Sequence, residues 1–561
     1  MDYLLHILVM VALYAILAAS YNLLIGFAGL FALSQAAFFG VGAYTTAILA
    51  TKLGLAFPLP LLAGVLVAAA VGMAVALPAL RIGGDHLVIV TLALQIIAIA
   101  VMVNWRSLTG GTDGIAGIPK VVLLGVRLDT PGRFLPLALA GAGLSLAIAA
   151  RLASSPFARA VRAMRENEAA AQAVGKNIVA IKLAVFAFSA GLAAIAGGLY
   201  AHYISFVSAE TFTLDVTIYV LAMVILGGTG NLWGSVLGAV ILTALPELLK
   251  FIALPPDIAD KSRQVLYGLA LIAMLLLRPQ GLLPEIPTRR RRILAAAAVP
   301  APLGATAPAD GAITVEGRGL ERRFGGIVAV SGLDIALRRG RIIGLIGPNG
   351  AGKTTAFNLM TGFLRPDEGT VRLHGTPLAG LRPHEIARLG MARSFQDLKL
   401  FAHMTVLDNV MVALPRQKGD SLLYVYFAPW VVAAEERLNR DRALAVLDFV
   451  GLADKAGETA ENLSYAEEKL LVIARLVATG AEVLLFDEPL SGLAPNTLEA
   501  IFPIIRRLAD SGKTICIIEH NLDVIRGLCD TAIFLDEGRK LAEDAPDRLI
   551  ADPALAARYF G

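Results

Sequence analysis

The chain has 561 residues, 57% of them hydrophobic and 17% charged, and a formal net charge of +4. A soluble domain carries about 45–50% apolar and about 25% charged residues, so a purely soluble protein is excluded. A net charge this small also argues against a nucleic-acid partner. The imbalance is regional. Residues 1–288 hold 16 Lys/Arg and 12 Asp/Glu, whereas residues 289–561 hold 33 of each. One half is bilayer-like and the other has the composition of an ordinary soluble domain. Both cysteines, Cys516 and Cys529, fall in the second half. They offer neither a disulfide framework nor a zinc site, and read as small buried residues in a reducing cytosol.

A helix needs about 20 mostly apolar residues to cross the hydrocarbon core. In chain order the candidate spans are Leu4–Ser20, Gly29–Ala50, Leu59–Leu80, Leu87–Val103, Phe134–Arg151, Ile181–Tyr203, Leu214–Leu226, Leu232–Leu249 and Val265–Leu277. This predicts a polytopic α-helical membrane domain of about 8–10 spans. The Met1-Asp2-Tyr3 start lacks the basic stretch of a cleaved signal, so the first span is expected to persist. The connector 151–182 carries Arg151, Arg159, Arg162, Arg165, Lys176 and Lys182 against Glu166 and Glu168. Basic loops stay cytoplasmic, which puts the N-terminus outside.

Several spans are interrupted. Gly26, Gly29, Gly40 and Gly42 flank Ser34 and Gln35, and Gln95 and Asn104 sit in or beside the fourth span. One reading is a translocation path with a broken helix near Ala28–Gln35; the other is close helix packing with interhelical hydrogen bonds. Residues Arg159–Gly175 read as a charged, alanine-rich amphipathic helix. It suits a groove on a soluble partner or a place among lipid headgroups, and the pattern does not separate the two.

After the last span come Arg289–Arg292 and an Ala/Pro-rich stretch to Gly311, a linker by composition. The expected organisation is a membrane domain over 1–285, a linker over 286–312 and a soluble domain over 313–561.

In the soluble half an apolar run, Ile342–Ile346, enters Gly347-Pro348-Asn349-Gly350-Ala351-Gly352-Lys353-Thr354, with a helix expected from Thr355. This is a full P-loop, whose backbone N–H groups and helix N-terminus cradle phosphate. Lys353 would reach the β- and γ-phosphates and Thr354 would ligate Mg²⁺. A second apolar run, Val483–Phe486, delivers Asp487-Glu488. Asp487 suits the metal, and Glu488 suits polarising the attacking water.

Between these lies Leu463-Ser464-Tyr465-Ala466-Glu467, and after them His520 at the end of Ile515–His520. This order resembles an ABC-type ATPase, an α/β P-loop fold. Gln396 in ARSFQ resembles the Q-loop glutamine, and Phe324 in ERRFGG the aromatic that stacks on adenine. The resemblance implies a cofactor pair of ATP and Mg²⁺. Glu488, His520 and Gln396 would be catalytic, and Thr354, Gln396 and Asp487 would be metal-holding. The nucleotide would lie on Phe324, residues 347–355 and, from the opposite ATPase domain, Ser464. Two departures stand out: Leu-Ser-Gly-Gly-Gln is replaced by Leu463-Ser464-Tyr465-Ala466-Glu467, and Ala494 occupies the usual D-loop aspartate position.

The membrane half, in Leu108–Pro119, Ser155–Gly175 and Leu226–Ala239, resembles the permease of branched-chain amino-acid ABC importers; RFGGIVAVSGL, LFAHMTVLDNV and the terminal ARYFG resemble that system's ATPase subunit. The resemblance implies a fusion working with a second permease, a second ATPase and an extracytoplasmic binding protein in the cytoplasmic (inner) membrane, with branched-chain or related amino acids as cargo. A homodimer is the lesser possibility. Amides, urea or other small polar solutes are alternative cargoes, and a half-size exporter is the lesser alternative architecture. The resemblance also makes Glu166–Ala173 a coupling helix near Gln396.

Overall fold

A computed structural model describes residues 2–79, 86–123, 125–250 and 311–560, with short stretches within 268–285. It falls into two compact units, Met1–Arg165 with Val179–Ile286 and Glu166–Ile178 with Pro287–Gly561.

The first unit is helical: α1 Asp2–Asn22, α2 Gln35–Lys52, α3 Leu59–Ala79, α4 His86–Asn104, α5 Pro131–Ala153, α6 Pro156–Glu166, and then, after the intervening segment, α8 Ile178–Ile204, α9 Leu214–Gly227 and α10 Leu232–Lys250. Among the described residues six helical segments are long and apolar enough to cross a membrane: Asp2–Phe27, Leu59–Pro78, His86–Asn104, Pro131–Ala153, Ile178–Ile204 and Ala209–Gly227. Helix α2 and helix α10 supply two more of the expected segments. The segment Val265–Leu277 is described only in part, in helical pieces at 268–269, 272–274 and 276–277, and the linker 286–312 lies almost wholly outside the described residues.

Within hydrocarbon every backbone polar group needs an internal partner, so a helix may stop only where side chains take over. The second span begins at Gln35 rather than at Gly29, and side chains explain how. The Leu33 N–H donates to Thr91 Oγ1 (2.9 Å), Ala36 N–H to Thr217 Oγ1 (3.0 Å) and Ala37 N–H to Gln95 Oε1 (2.8 Å). The Tyr21 hydroxyl donates to the Ala32 carbonyl. Just before the break, α1 widens into a π turn over Leu23–Phe27. A Cβ on Gly26, Gly29, Gly40 or Gly42 would come within 2.7 Å of a neighbouring atom, so these glycines permit close approach.

The expected single helix over Arg159–Gly175 is two helices. Asn167 leaves helical geometry and its Oδ1 accepts from Ala170 N–H (2.8 Å), capping a new helix, α7, Glu168–Ala173. This second helix is part of the ATPase unit.

That unit is built on β1 Ile313–Phe324, β2 Ile327–Arg338, β3 Ile342–Ile346, β4 Glu368–Leu373, β5 Met391–Arg393, β6 Val483–Asp487, β7 Thr514–Ile518, β8 Thr531–Asp536 and β9 Arg539–Asp544. The six-stranded sheet runs β5-β6-β7-β3-β8-β9, parallel except for β9. A separate antiparallel sheet joins β2, β1 and β4. Strands β3, β6 and β7 are buried along their whole length, as covering both faces of a parallel sheet requires. Cys516 and Cys529 are free and buried in this core. The sheet's strand ends then present the P-loop and the acidic pair at one edge.

Candidate nucleotide site

Strand β3 leads through the P-loop into α11, Lys353–Met360, which starts two residues before the expected Thr355. The loop fits only glycine at two points. Gly347 has φ +149°, and a Cβ there would lie 2.0 Å from the Leu535 carbonyl; Gly352 has φ +93°, and a Cβ would lie 2.4 Å from the Ala329 carbonyl. The first turn of α11 exposes Thr354 beside the half-buried Thr355, and the loop tip exposes Asn349 and Gly350 next to half-buried Pro348 and buried Ala351. The Lys353 ammonium donates to the Gly347 and Pro348 carbonyls, each at 2.8 Å, so it lies folded over the loop. Burial lowers its pKa, while Glu488 and Asp487 oppose that shift.

Strand β6 delivers Asp487 into the interior. Its Oδ2 pairs with Arg393 Nη2 at 3.2 Å, the two side chains being 1% and 2% exposed. Arg393 is held in turn by Asn358 Oδ1 and by the rings of Phe357, Phe363 and Phe395. Burial pushes the Asp487 carboxyl up to about 6 despite the arginine. Among the described residues, Asp487 Oδ1, which is buried, has no hydrogen-bond partner. A buried carboxylate oxygen left without a partner, on a side chain near enough to feel the Lys353 charge, fits a hard cation such as Mg²⁺.

Glu488 adopts φ +50°, a left-handed conformation unusual for a residue with a side chain. Its N–H donates to the Ile518 carbonyl (2.9 Å), and its own carbonyl accepts from Lys469 Nζ (2.8 Å). These two bonds hold the strained backbone. The carboxylate is then met from two sides: Gln396 Nε2 donates to Oε1 at 3.2 Å, and His520 Nε2 lies 3.0 Å from the same oxygen. Three residues far apart in the chain, 396, 488 and 520, thus converge on one atom.

Phe324 closes β1 with an exposed ring that carries the Arg322 guanidinium at 5.1 Å on one side, a platform of the kind a base can stack upon. Ser464 differs from the rest. It caps α15, Tyr465–Ala478, and both its N–H (2.9 Å) and its hydroxyl (2.8 Å) donate to Glu467 Oε2. Glu467 also pairs with Lys455 at 2.5 Å. The Lys455 hydrogen bond, with those from Ser464, holds the Glu467 carboxyl down at about 2. The residue in the usual glutamine position of the signature is therefore a firmly ionised helix cap.

Sequence reasoning missed several partners. Arg393 and Lys469 act through space, and nothing local marks them. Glu519 accepts from Leu490 N–H (2.8 Å), and burial raises it to about 7. The Tyr559 hydroxyl donates to the His520 carbonyl (2.7 Å), giving the terminal ARYFG motif a structural role. Tyr465 donates to the Ser491 carbonyl (3.2 Å), tying the altered signature to the D-loop.

The segment after α6 docks on this unit. The His403 N–H donates to Glu166 Oε2 (3.2 Å), Arg388 Nε to the Gly175 carbonyl (2.8 Å), and Lys176 pairs with Asp420 (2.7 Å). Helix α12, Pro383–Leu389, packs on α7. Residues 388 and 403 flank Gln396 in the chain.

Among the interrupted spans, Gln95 Nε2 donates to the Phe212 carbonyl (2.7 Å) and Gln35 Nε2 to Ser20 Oγ (2.6 Å), while Ser34 is buried with no partner for its hydroxyl among the described residues. Asn104 stands outside this network, bonded to Ala100 of its own helix.

The chain matches the model for the branched-chain amino acid transport system permease component over residues 3–275, and the ABC transporter model over 330–491. It is 37% identical over 244 residues to the high-affinity branched-chain amino acid transport ATP-binding protein LivG of Salmonella typhimurium, covering 43% of this chain and 96% of that one. It is 37% identical over 298 residues to the LivM permease of the same organism, covering 49% of this chain and 68% of that one. A nucleotide-free ATP-binding cassette of solved structure aligns at 30% identity over 45% of this chain and all of its own length, with a TM-score of 0.40. With a permease match in one half and an ATP-binding match in the other, the chain belongs to the branched-chain amino-acid ABC transporter family and joins both components in one polypeptide.

Proposed function

We propose that this chain is one permease half and one ATPase half of an importer that couples ATP hydrolysis to uptake of branched-chain or related amino acids across the cytoplasmic membrane. Its partners are a second permease, a second ATPase and an extracytoplasmic binding protein that delivers the cargo. The hydrolytic part of this reading is carried by the convergence of Gln396 and His520 on Glu488 Oε1, next to Asp487 with its unpartnered Oδ1, and the cargo and partners are supported by the likeness of the two halves to LivG and LivM.

In this reading Lys353 leaves its loop carbonyls for the β- and γ-phosphates, an exchange favoured by its partial burial. Thr354, Gln396 and Asp487 would hold Mg²⁺, which when bound neutralises charge on the phosphate oxygens. Glu488 orients and polarises the attacking water as a general base, and His520 holds its carboxylate in place and meets the γ-phosphate. Phe324 stacks on adenine. Ser464 faces the nucleotide of the opposite domain, where its hydroxyl must exchange Glu467 for phosphate.

The docked 166–178 segment supports a route for coupling. The residue preceding it, Arg165, donates to the Gly26 carbonyl in the π turn (2.5 Å) and pairs with Glu285 (3.0 Å). A shift of Glu166 with its ATPase would thereby pull on the turn that leads into the α2 break.

The test is reconstitution of the complex purified from native membranes by a tag on this chain. Uptake of labelled leucine into vesicles containing ATP, dependent on the binding protein, supports the reading. Retention of ATPase activity without uptake of leucine, isoleucine or valine would remove the cargo assignment.

A further inference from the structure

The ATPase unit carries an apolar surface that nucleotide chemistry does not use. Helix α13, Leu422–Phe427, and the first turn of α14, Pro429–Val450, expose Leu423 (70%), Tyr424 (43%), Phe427 (76%) and Trp430 (69%). Within α13 the spacing puts Leu423, Tyr424 and Phe427 on one face, since residues three and four apart are helical neighbours, and Trp430 follows after the turn at Ala428 in the first turn of α14. The opposite face anchors the element: Val425 and Val432 are buried, and α13 packs on α14. Two exposed cations, Arg416 and Lys418, precede the element.

What lies over this face follows from chain connectivity. Asp420, two residues before α13, is salt-bridged to Lys176 at 2.7 Å. Two residues after Lys176 the chain enters α8, a 27-residue apolar helix long enough to span a membrane. Two residues extend over at most about 7 Å. The start of α13 is therefore tethered close to where the chain enters the bilayer. Exposed aromatics beside cations are the chemistry of the lipid interface, where Trp and Tyr settle at headgroup level and Lys and Arg attract anionic lipids.

We infer that the Leu423–Tyr424–Phe427–Trp430 face is a membrane-interface anchor of the ATPase domain, seated in the headgroup region of the cytoplasmic leaflet, with Arg416 and Lys418 on anionic headgroups. It would keep the ATPase against the bilayer independently of the 166–178 segment. The inference rests on the membrane-spanning reading of the first unit's apolar helices, α5 and α8 among them.

The test uses the full chain in its complex, with Cys516→Ala and Cys529→Ala, carrying a single spin label at residue 427, 430, 438 or 144. It is reconstituted in vesicles of phosphatidylethanolamine and phosphatidylglycerol at 3:1, and collisions with oxygen and with water-soluble nickel-EDDA are compared. Leu438 is exposed further along α14, and Leu144 is exposed on the apolar helix α5. Labels at 427 and 430 should show an oxygen-to-nickel ratio several-fold above that at 438 and approaching that at 144. The ratio at 427 and 430 should fall when phosphatidylglycerol is omitted. A ratio at 427 and 430 equal to that at 438 would overturn the anchor, and so would shielding from both reagents, which means a protein partner covers the face. Failure at 144 as well would instead sink the membrane-spanning reading. If Phe427→Cys does not fold, a label at Leu423 reports the same face.

Discussion

The P-loop side and the signature side of the ATPase unit, the two proposed to face nucleotide, differ in how their charges are held. On the P-loop side, Asp487 sits in the interior against Arg393, and Glu488 is gripped by Gln396, His520 and Lys469 from three separate elements. On the signature side, Glu467 is held by Ser464, three residues away, and by Lys455. Long-range packing leaves one carboxylate oxygen unsatisfied and ready for a ligand. Local capping satisfies the other carboxylate and occupies the serine hydroxyl that a nucleotide would need. An intact motif and an altered one can thus be told apart by what their side chains are already bound to.

The largest effect is expected of Glu488→Gln, which keeps the shape of the side chain but removes the base. Steady-state hydrolysis should fall by about 10²–10⁴-fold, with nucleotide binding retained. Retained turnover would mean that the hydrolytic residue is elsewhere. Next in size is Arg393→Ala, which leaves Asp487 buried without its cation. Breaking such a pair costs about 3–5 kcal/mol. Chemical denaturation of the purified complex should show that loss in the ATPase transition, and an unchanged midpoint would refute it.

A smaller effect tests burial of the second acid. Glu519 titrates at about 7 in the fold, above its ordinary carboxylate range. A group with a raised folded pKa stabilises most when protonated, and that contribution is lost as pH rises through the folded value. Glu519→Gln keeps the acceptor for Leu490 N–H, so it should raise the ATPase melting temperature at pH 8 and change little at pH 5. The gain is on the order of 2 kcal/mol, or about 5 °C. The smallest effect belongs to the signature side: Ala466→Gly should leave turnover nearly unchanged, because the site it helps to complete is not the one that carries hydrolysis. A large stimulation would reverse the assignment of the two sides.

Much of the ATPase was legible in sequence, and the reasons are local. Ile342–Ile346 and Val483–Phe486 are continuous apolar runs because both faces of a parallel strand are covered, and the chemistry follows at their ends. Arg393, Lys469 and Glu519 were illegible because their meaning depends on neighbours some 20 to 100 positions away, brought in by β5, α15 and β7. The membrane half shows the same division. Apolar stretches announced nine spans, of which eight correspond to continuous helices among the described residues, but the start of α2 at Gln35 depends on acceptors from other elements, Thr91, Gln95 and Thr217. The break at Asn167 was readable in principle, as an Asn followed by Glu at a helix N-terminus, and the alanine-rich surroundings masked it.

The most direct test of the central claim is vanadate trapping of a photoreactive ATP analogue in the complex purified from native membranes, followed by separation of the subunits. The account predicts that the trapped label crosslinks to this chain, beside Lys353 and Glu488, and is lost with Glu488→Gln. Label trapped only on a separate ATPase subunit, whose nucleotide would face Ser464 and Glu467, would contradict it.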